Sequence, residues 1–274
     1  MAGSQEVRTT GFAWWCVACL CMFLFVSGAT LWAQTTVGID RFRVDNIVQM
    51  EQDDKLVKIE TSTIFSDGLV FDFIGDYGEI IIYRQDTSTF TLLDPIHRVQ
   101  TELTMDSVDE FLERIKKRLE EKDDKFCRFI VSPQFEKSKN EDGGELLFQS
   151  KFIDYEIKTK PFEQKSFAKE FFLFSNAYSK LNIYLNPGTT TPFARLAINE
   201  DLEQLNLFPE SFHTNVYPKG KWLFSKSIKI ESRHNIVRRL SEKDHGRIMR
   251  ALHFAQQFPK MPFGDYQKAI NVKK

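Results

Sequence analysis

Short runs of alternating apolar and polar residues fill the chain from residue 41 to residue 103, and this pattern constrains the fold more than any other feature. In one run Val57 and Ile59 lie on one side of a strand, while Lys58 and Glu60 lie on the other. Such period-two patterning is typical of strands with one buried face. The breaks between runs, such as Asp67-Gly68, are much shorter than the crossover that a parallel pair needs. The sequence therefore predicts an antiparallel sheet.

Helical spacing follows this strand block. Ser107-Val108-Asp109-Glu110 has the spacing of a capping box, which predicts that a helix begins there. A longer helix is expected from near Gln164 to Leu185, another one from Ser241, and the chain from Lys260 is expected to be loosely held. Because strands occur in blocks rather than alternating singly with helices, we expect an α+β fold. It would be a curved antiparallel sheet, an incomplete barrel, covered on one face by helices.

The first thirty-three residues resemble a leader. An uncharged, largely apolar run extends from Phe12 to Ala33, with small residues near Ala29 and Ala33 at which cleavage could occur. This layout is typical of a signal peptide, although the run is also long enough to remain as an N-terminal membrane anchor. We therefore expect a signal peptide at 1–33, with the anchor as the alternative, and a single α+β domain at 34–274. The protein would be exported to the periplasm or cell envelope, with membrane contact only through an uncleaved leader.

Charge, cysteine content and motifs exclude several function classes. The 37 basic and 38 acidic residues balance, which gives no electrostatic footprint for nucleic acid. Only Cys127 lies outside the leader, so no disulfide is expected within the domain, and a small buried residue is the simplest interpretation of it. No phosphate loop, nucleophile elbow or histidine pair with metal-ligand spacing occurs, so we predict no catalytic residue, no metal and no cofactor. Enzymatic activity stays open but is not favoured.

An apolar ligand between the sheet and the helices is the better-motivated hypothesis. A curved sheet under helices can leave a cleft lined by aliphatic and aromatic side chains. The candidate ligand-binding residues are Phe71, Phe73, Ile80, Ile82, Leu92, Phe167, Phe171 and Phe174. The alternative that they only form the core is favoured by the tendency of aromatic stripes to bury against one another. A non-catalytic envelope interaction module is the alternative function.

Part of the strand block resembles a known family. The segment Phe65-Ser66-Asp67-Gly68-Leu69-Val70-Phe71 is similar to the hairpin of periplasmic lipoprotein carriers, which are half-barrel proteins. The resemblance covers residues 41 to 103 and implies an incomplete barrel, closed by helices, with an apolar cavity for acyl chains. The domain departs from the carriers because it begins with a strand rather than a helix, and no binding residue can be carried over. The whole chain also resembles exported proteins of bacteria with complex envelopes, which implies no specific function.

Overall fold

The computed structural model describes residues 41–52, 55–75, 78–140, 144–186, 191–217 and 228–271. The leader predicted at 1–33 lies outside these residues. The strands are β1 Phe42–Gln52, β2 Lys55–Ser66, β3 Leu69–Ile74, β4 Ile80–Arg84, β5 Thr89–Asp94, β6 Val99–Thr104, β7 Glu136–Lys139, β8 Glu145–Gln149, β9 Ile153–Pro161, β10 Leu207–Val216 and β11 Ile228–Val237. The helices are α1 Met105–Glu120, α2 Lys125–Val131, α3 Lys165–Leu185, α4 Phe193–Gln204, α5 Glu242–Gln257 and α6 Phe263–Asn271.

All eleven described strands form one antiparallel sheet in the order β6-β5-β4-β3-β2-β1-β11-β10-β9-β8-β7. Consecutive strands pair throughout the first six, as the short turns require. One long-range pairing, β1 with β11, joins this half to the strands that come later in the chain. The sheet runs from β6 to β7 without closing into a barrel, and the predicted α+β fold with a curved antiparallel sheet is confirmed.

Helices cover both faces of the sheet, which differs from the single helical layer expected from the sequence. We call the face that packs against α1, α3, α4 and α6 the inner face, and its opposite the outer face. The inner core is largely aromatic, with the Phe42 ring stacked 4.2 Å from Phe65 and 4.5 Å from Phe167. On the outer face, α5 packs Ala251 and neighbouring apolar residues against β2 to β5. Strands β3 to β5 are therefore buried on both sides.

Helix α5 is held on the outer face by polar contacts at both ends. At its start Ser241 and Asp244 form a capping box, as expected for a helix that begins near Ser241. The Asp244 carboxylate also accepts hydrogen bonds of 2.9 and 2.7 Å from the Arg43 guanidinium on β1. At its end the Gln100 side-chain amide donates to the carbonyl oxygens of Ala255 and Phe258. These contacts fix the helix to two strands at opposite parts of the first half-sheet.

The described residues from Lys260 to Asn271 are packed against the rest of the fold, so the expectation that they are loosely held is wrong. Lys260 forms a parallel bridge with Gln100 on the edge strand β6. Helix α6 follows, and its Tyr266 is buried in the inner core with its hydroxyl donating to Glu79 at 2.6 Å. Helix α1 also begins earlier than expected, because Thr104 rather than Ser107 supplies the capping oxygen.

None of the described helices combines the length and the apolar composition that a bilayer-spanning segment requires.

Candidate functional site

The eight residues proposed as ligand-binding from the sequence do not share one cleft. Phe71, Phe73, Ile80 and Ile82 lie in the outer-face cluster beneath α5, whereas Leu92, Phe167, Phe171 and Phe174 lie in the inner core. All eight are buried. The two groups are separated by the sheet itself, so they could not line one cavity. A role for any of them in binding stays a prediction.

A chain of hydrogen-bonded polar side chains instead crosses the inner face. Ser232 Oγ lies 3.1 Å from His234 Nε2, and His234 Nδ1 lies 2.8 Å from Asn46 Oδ1. Asn46 Nδ2 donates to Thr63 Oγ1 at 3.1 Å, and Thr63 Oγ1 donates to Asp72 Oδ1 at 2.7 Å. The chain therefore spans four neighbouring strands, β11, β1, β2 and β3.

The donors and acceptors in this chain all run in one direction. Because the Asn46 amide nitrogen donates to Thr61 and Thr63, its oxygen is left to accept from His234 Nδ1. His234 Nε2 then carries the lone pair that accepts from the Ser232 hydroxyl. In each of these hydrogen bonds the proton is donated in the direction of Asp72, whose carboxylate is the last acceptor in the row.

Burial controls the charge of both titratable groups in the chain. Burial, aided by the positive charge of Arg195, lowers the pKa of His234 from 6.5 to about 3, which agrees with the neutral tautomer that its hydrogen bonds require. Burial raises the pKa of Asp72 from 3.8 to about 6, although the hydrogen bond from Thr63 acts in the opposite direction. The chain thus has a neutral imidazole in the middle and a carboxyl group that titrates just below neutral pH at its end.

Arg195 places a positive charge over this part of the sheet. It is the third residue of α4, and its guanidinium carbon lies 3.6 Å from the centre of the Phe212 ring on β10. No hydrogen-bond acceptor or carboxylate among the described residues pairs with it. Burial lowers the pKa of Arg195 from 12.5 to about 10, so the guanidinium stays charged at neutral pH. Its electrostatic interaction with the hydroxyl of Tyr155 acts in the opposite direction and raises this pKa.

Solvent reaches a band of the inner face between the closed core regions, and we call this band the inner groove. Its residues are Val57, Ile59 and Thr61 on β2, Asn46, Val48 and Met50 on β1, Ile230 and His234 on β11, Thr214 on β10, Tyr155 on β9, and Arg195 above them. Val57 and Ile59 are 43% and 44% exposed, although they point to the same side as the fully buried Phe42. The helical layer thus leaves apolar surface open at this end of the sheet.

Polar and apolar parts of the inner groove are adjacent because of strand register. Thr61, Asn46 and His234 are paired across three strands and form the polar row. The next row on this face lies two residues along each strand and contains the pair Ile59 and Val48. The row after that, another two residues along, contains Val57 paired with Met50 and Met50 paired with Ile230. Same-face neighbours along a strand lie about 7 Å apart, so apolar surface begins within one such step of the polar row. The groove floor spans five strands, or about 19 Å across.

Two other surface grooves lie elsewhere. One, of about 160 Å³, is lined on the outer face by Ile47, Lys58, Glu231 and neighbours. The other, of about 250 Å³, lies between the edge strand β7 and the end of α4. Neither contains a residue of the polar chain.

The groups that line the inner groove can contact a ligand through apolar surface, hydrogen bonds and one cation. Within the described ranges no group of three or more histidine, cysteine, aspartate or glutamate side chains is placed to hold a metal ion. Cys127 is buried at the start of α2, and burial raises the pKa of its thiol, which disfavours the reactive thiolate. An apolar surface that adjoins neutral hydrogen-bonding groups and one unpaired cation suits a molecule with an apolar body and a polar end.

Sequence reasoning missed these residues for an identifiable reason. Asn46 and His234 are neighbours only because β1 pairs with β11, and nothing in either segment indicates that partner. Arg195 reads as an ordinary polar residue of an amphipathic helix. The one available signal was local: Thr61 and Thr63 occupy positions of β2 whose alternation places them on the buried side.

Comparisons with known proteins add little. No protein-family model matches this chain, and no curated protein matches it either. Among solved structures, PNGF-II has 9% sequence identity and a TM-score of 0.33, over 84% of this chain and 32% of its own, so this chain spans about a third of its length. A LolA superfamily protein, NE2245 from Nitrosomonas europaea, has 8% identity and a TM-score of 0.28, over 75% of this chain and 90% of its own. Scores this low indicate only a faint resemblance and bear on neither the fold nor the function.

Proposed function

We propose that this protein binds an apolar or amphipathic ligand, of the size of a lipid or an acylated peptide, in the inner groove. The observation that carries the proposal is the unusual surface of that groove. Val57 and Ile59 are more than two-fifths exposed on the same face of the sheet as the fully buried core residue Phe42. Exposed apolar side chains next to a polar cluster are typical of surfaces that bind another molecule.

The polar row supports this assignment because its groups are neutral and already paired with one another. His234, Asn46 and Thr61 satisfy most of their hydrogen-bonding capacity within the sheet. Such groups tolerate a nearby apolar ligand, whereas unpaired polar groups would lose their water on binding at a cost of about 1–3 kcal/mol each. The apolar rows gain roughly 25 cal/mol for each Å² of apolar surface that a ligand removes from water.

The test uses a pair of substitutions on adjacent residues of β1. Val48 points into the inner groove and Ile47 points to the outer face, where it is 37% exposed. We expect Val48→Trp to fill the groove and to weaken binding of the neutral fluorescent probe N-phenyl-1-naphthylamine at least tenfold. Ile47→Trp, the control, should change the affinity less than twofold. Equal effects of the two variants, or a wild-type chain that binds no probe and carries no ligand in native mass spectrometry, would refute the proposal.

We infer further that the protein acts outside the cytoplasm. The support is the uncharged apolar run from Phe12 to Ala33, which ends in small residues as a signal peptide does. The intact mass of protein recovered from its own cells would show whether the chain starts near Gln34 or keeps its leader. Full-length chain found in the cytosol would rule out export.

A second candidate is the envelope interaction module. The observation in its favour is the edge strand β7, whose residues Glu136 to Lys139 are all exposed and pair only with β8 in the described part of the sheet. It ranks second because β7 is short and carries Lys137 and Lys139, and lysines on a short edge strand usually prevent strand addition. Crosslinking in cells through this strand would have to capture one recurrent protein for the alternative to stand.

A further inference from the structure

Arg195 is the feature of the inner groove that the binding of a purely apolar ligand leaves unexplained. Its guanidinium carries five N–H donors, and stacking on Phe212 uses the flat face of the group but none of those donors. Within the described residues it has no salt bridge, in contrast to Arg43, whose guanidinium is paired with two carboxylates. An uncompensated charge in a partly desolvated site is costly unless a partner arrives.

The surroundings of Arg195 favour one anionic group of low charge. The residues that interact electrostatically with it are Tyr155 and His234, and both are neutral at pH 7 because burial raises the pKa of the first to about 12 and lowers that of the second to about 3. A phosphate monoester carries nearly two negative charges and would call for a second cation, which these neighbours do not supply. A planar carboxylate matches one guanidinium through two parallel hydrogen bonds.

Apolar surface lies next to this cation in the direction of the open end of the groove. Phe212, on which Arg195 stacks, is paired with Ser232, which is paired in turn with Val48. Met50, Ile230 and Thr214 form the next row, about 7 Å further along the strands. A molecule with its head at Arg195 would therefore place its body on apolar side chains.

We propose that the ligand is a long-chain carboxylic acid, such as a free fatty acid, whose carboxylate is bound by Arg195 while its chain lies along Val48, Met50 and Ile230. This inference rests on the proposed function and adds the chemical class of the ligand's head group.

The experiment measures displacement of N-phenyl-1-naphthylamine from the full chain by oleate, by methyl oleate, which lacks the charge, and by acetate and inorganic phosphate, which lack the chain. The lipids are used below the concentration at which they form micelles. Since the carboxylate gains charge-assisted hydrogen bonds to Arg195 that the uncharged ester lacks, oleate should bind at least about tenfold more tightly than methyl oleate. Acetate and phosphate should displace the probe only weakly.

The structure offers a matched control for the variant Arg195→Met. Arg247 on α5 also stacks on a phenylalanine ring, that of Phe73 at 4.0 Å, but on the outer face. Arg195→Met should reduce the preference for oleate over methyl oleate to less than threefold, while Arg247→Met should leave it unchanged. Circular dichroism establishes that each variant is folded, and the wild-type comparison needs no variant at all.

Each remaining outcome has a separate meaning. If oleate and methyl oleate bind wild-type protein equally, the carboxylate assignment is overturned while apolar-ligand binding stands. If the preference for oleate survives in Arg195→Met, Arg195 does not bind the carboxylate and the proposal is overturned. If phosphate or acetate alone competes as well as oleate, the site holds a free anion and the lipid class is overturned. If the probe binds the inner groove but neither lipid displaces it, this inference is overturned while the proposed function stands. If the wild-type chain does not bind the probe and carries no ligand, the proposed function fails and this inference fails with it.

Discussion

Replacing Asp72 by asparagine should change how the stability of the protein depends on pH. Asp72 is only 3% exposed, at the end of the polar chain on β3, and burial raises its pKa from 3.8 to about 6. A carboxyl group whose pKa is higher in the folded state stabilises the fold while it is protonated, and this contribution is lost as pH rises through the folded pKa. At 1.36 kcal/mol per pKa unit, the wild-type protein should lose about 3 kcal/mol between pH 3.8 and pH 7 from this group alone.

The variant Asp72→Asn keeps an oxygen that can accept from Thr63 but cannot ionise. The free energy of unfolding of Asp72→Asn relative to wild type should therefore rise by about 3 kcal/mol from pH 3.5 to pH 7, on top of any constant offset from the added amide donors. Arg247 on α5 and Glu79 also interact electrostatically with this carboxyl group. Neither residue is therefore substituted in the two proteins that are compared. Urea unfolding followed by circular dichroism at a series of pH values measures the difference.

Asp94 on β5 provides a control of opposite sign. Burial raises its pKa, but the hydrogen bonds from His97 and from the backbone of Ile96 outweigh burial, so the pKa is lowered overall. Asp94→Asn should therefore cost stability at neutral pH, and that cost should shrink as pH falls below about 4. If the difference in unfolding free energy between Asp72→Asn and wild type changes by less than about 0.5 kcal/mol from pH 3.5 to pH 7, the reasoning about Asp72 is refuted.

Three further predictions concern the frame that holds the groove. Asp244→Asn should lower the free energy of unfolding by about 3 kcal/mol in urea titrations at pH 7, because it removes the charge that pairs with Arg43 and weakens the cap of α5; an effect under 1 kcal/mol would contradict this. Phe172→Ala should lower the free energy of unfolding by about 3–5 kcal/mol because the ring is fully buried, whereas the adjacent Leu173→Ala, at a position 42% exposed, should lower it far less. Similar losses of stability in the two variants would argue against the orientation of α3. Gly68→Ala should lower stability by about 1 kcal/mol in the same assay, because the residue has a φ of +74° in the β2–β3 turn; no loss would mean that the turn relaxes.

Local features of the fold were readable from the sequence because local interactions produce them. The alternation around Val57 and Ile59 predicts a strand, and the turn at Asp67-Gly68 has positive φ at both residues, as a tight hairpin requires. A helix is also predicted from near Ser241, and the structure has a capping box at this residue, where α5 starts. Each of these signals lies within a few residues of the structure that it predicts.

The side on which each apolar residue is buried depended on distant parts of the chain. Alternation separates Phe71 from Val70, but it does not say that α5, about 170 residues later, covers the outer side. The eight proposed ligand-binding residues were therefore divided between two cores. Likewise Lys260 is fixed in place because it pairs with Gln100 on β6, and no local sequence pattern predicts this contact.

The candidate site belongs wholly to the tertiary structure. The sequence by itself determined most of the strands, most of the helices and the antiparallel class, because hydrophobic periodicity and turn geometry act over short distances. Only the pairing of β1 with β11 placed His234 against Asn46, and only the packing of α4 on β10 placed Arg195 above them. Such contacts depend on how the whole chain buries its apolar surface, and no single segment of the sequence contains enough information to predict them.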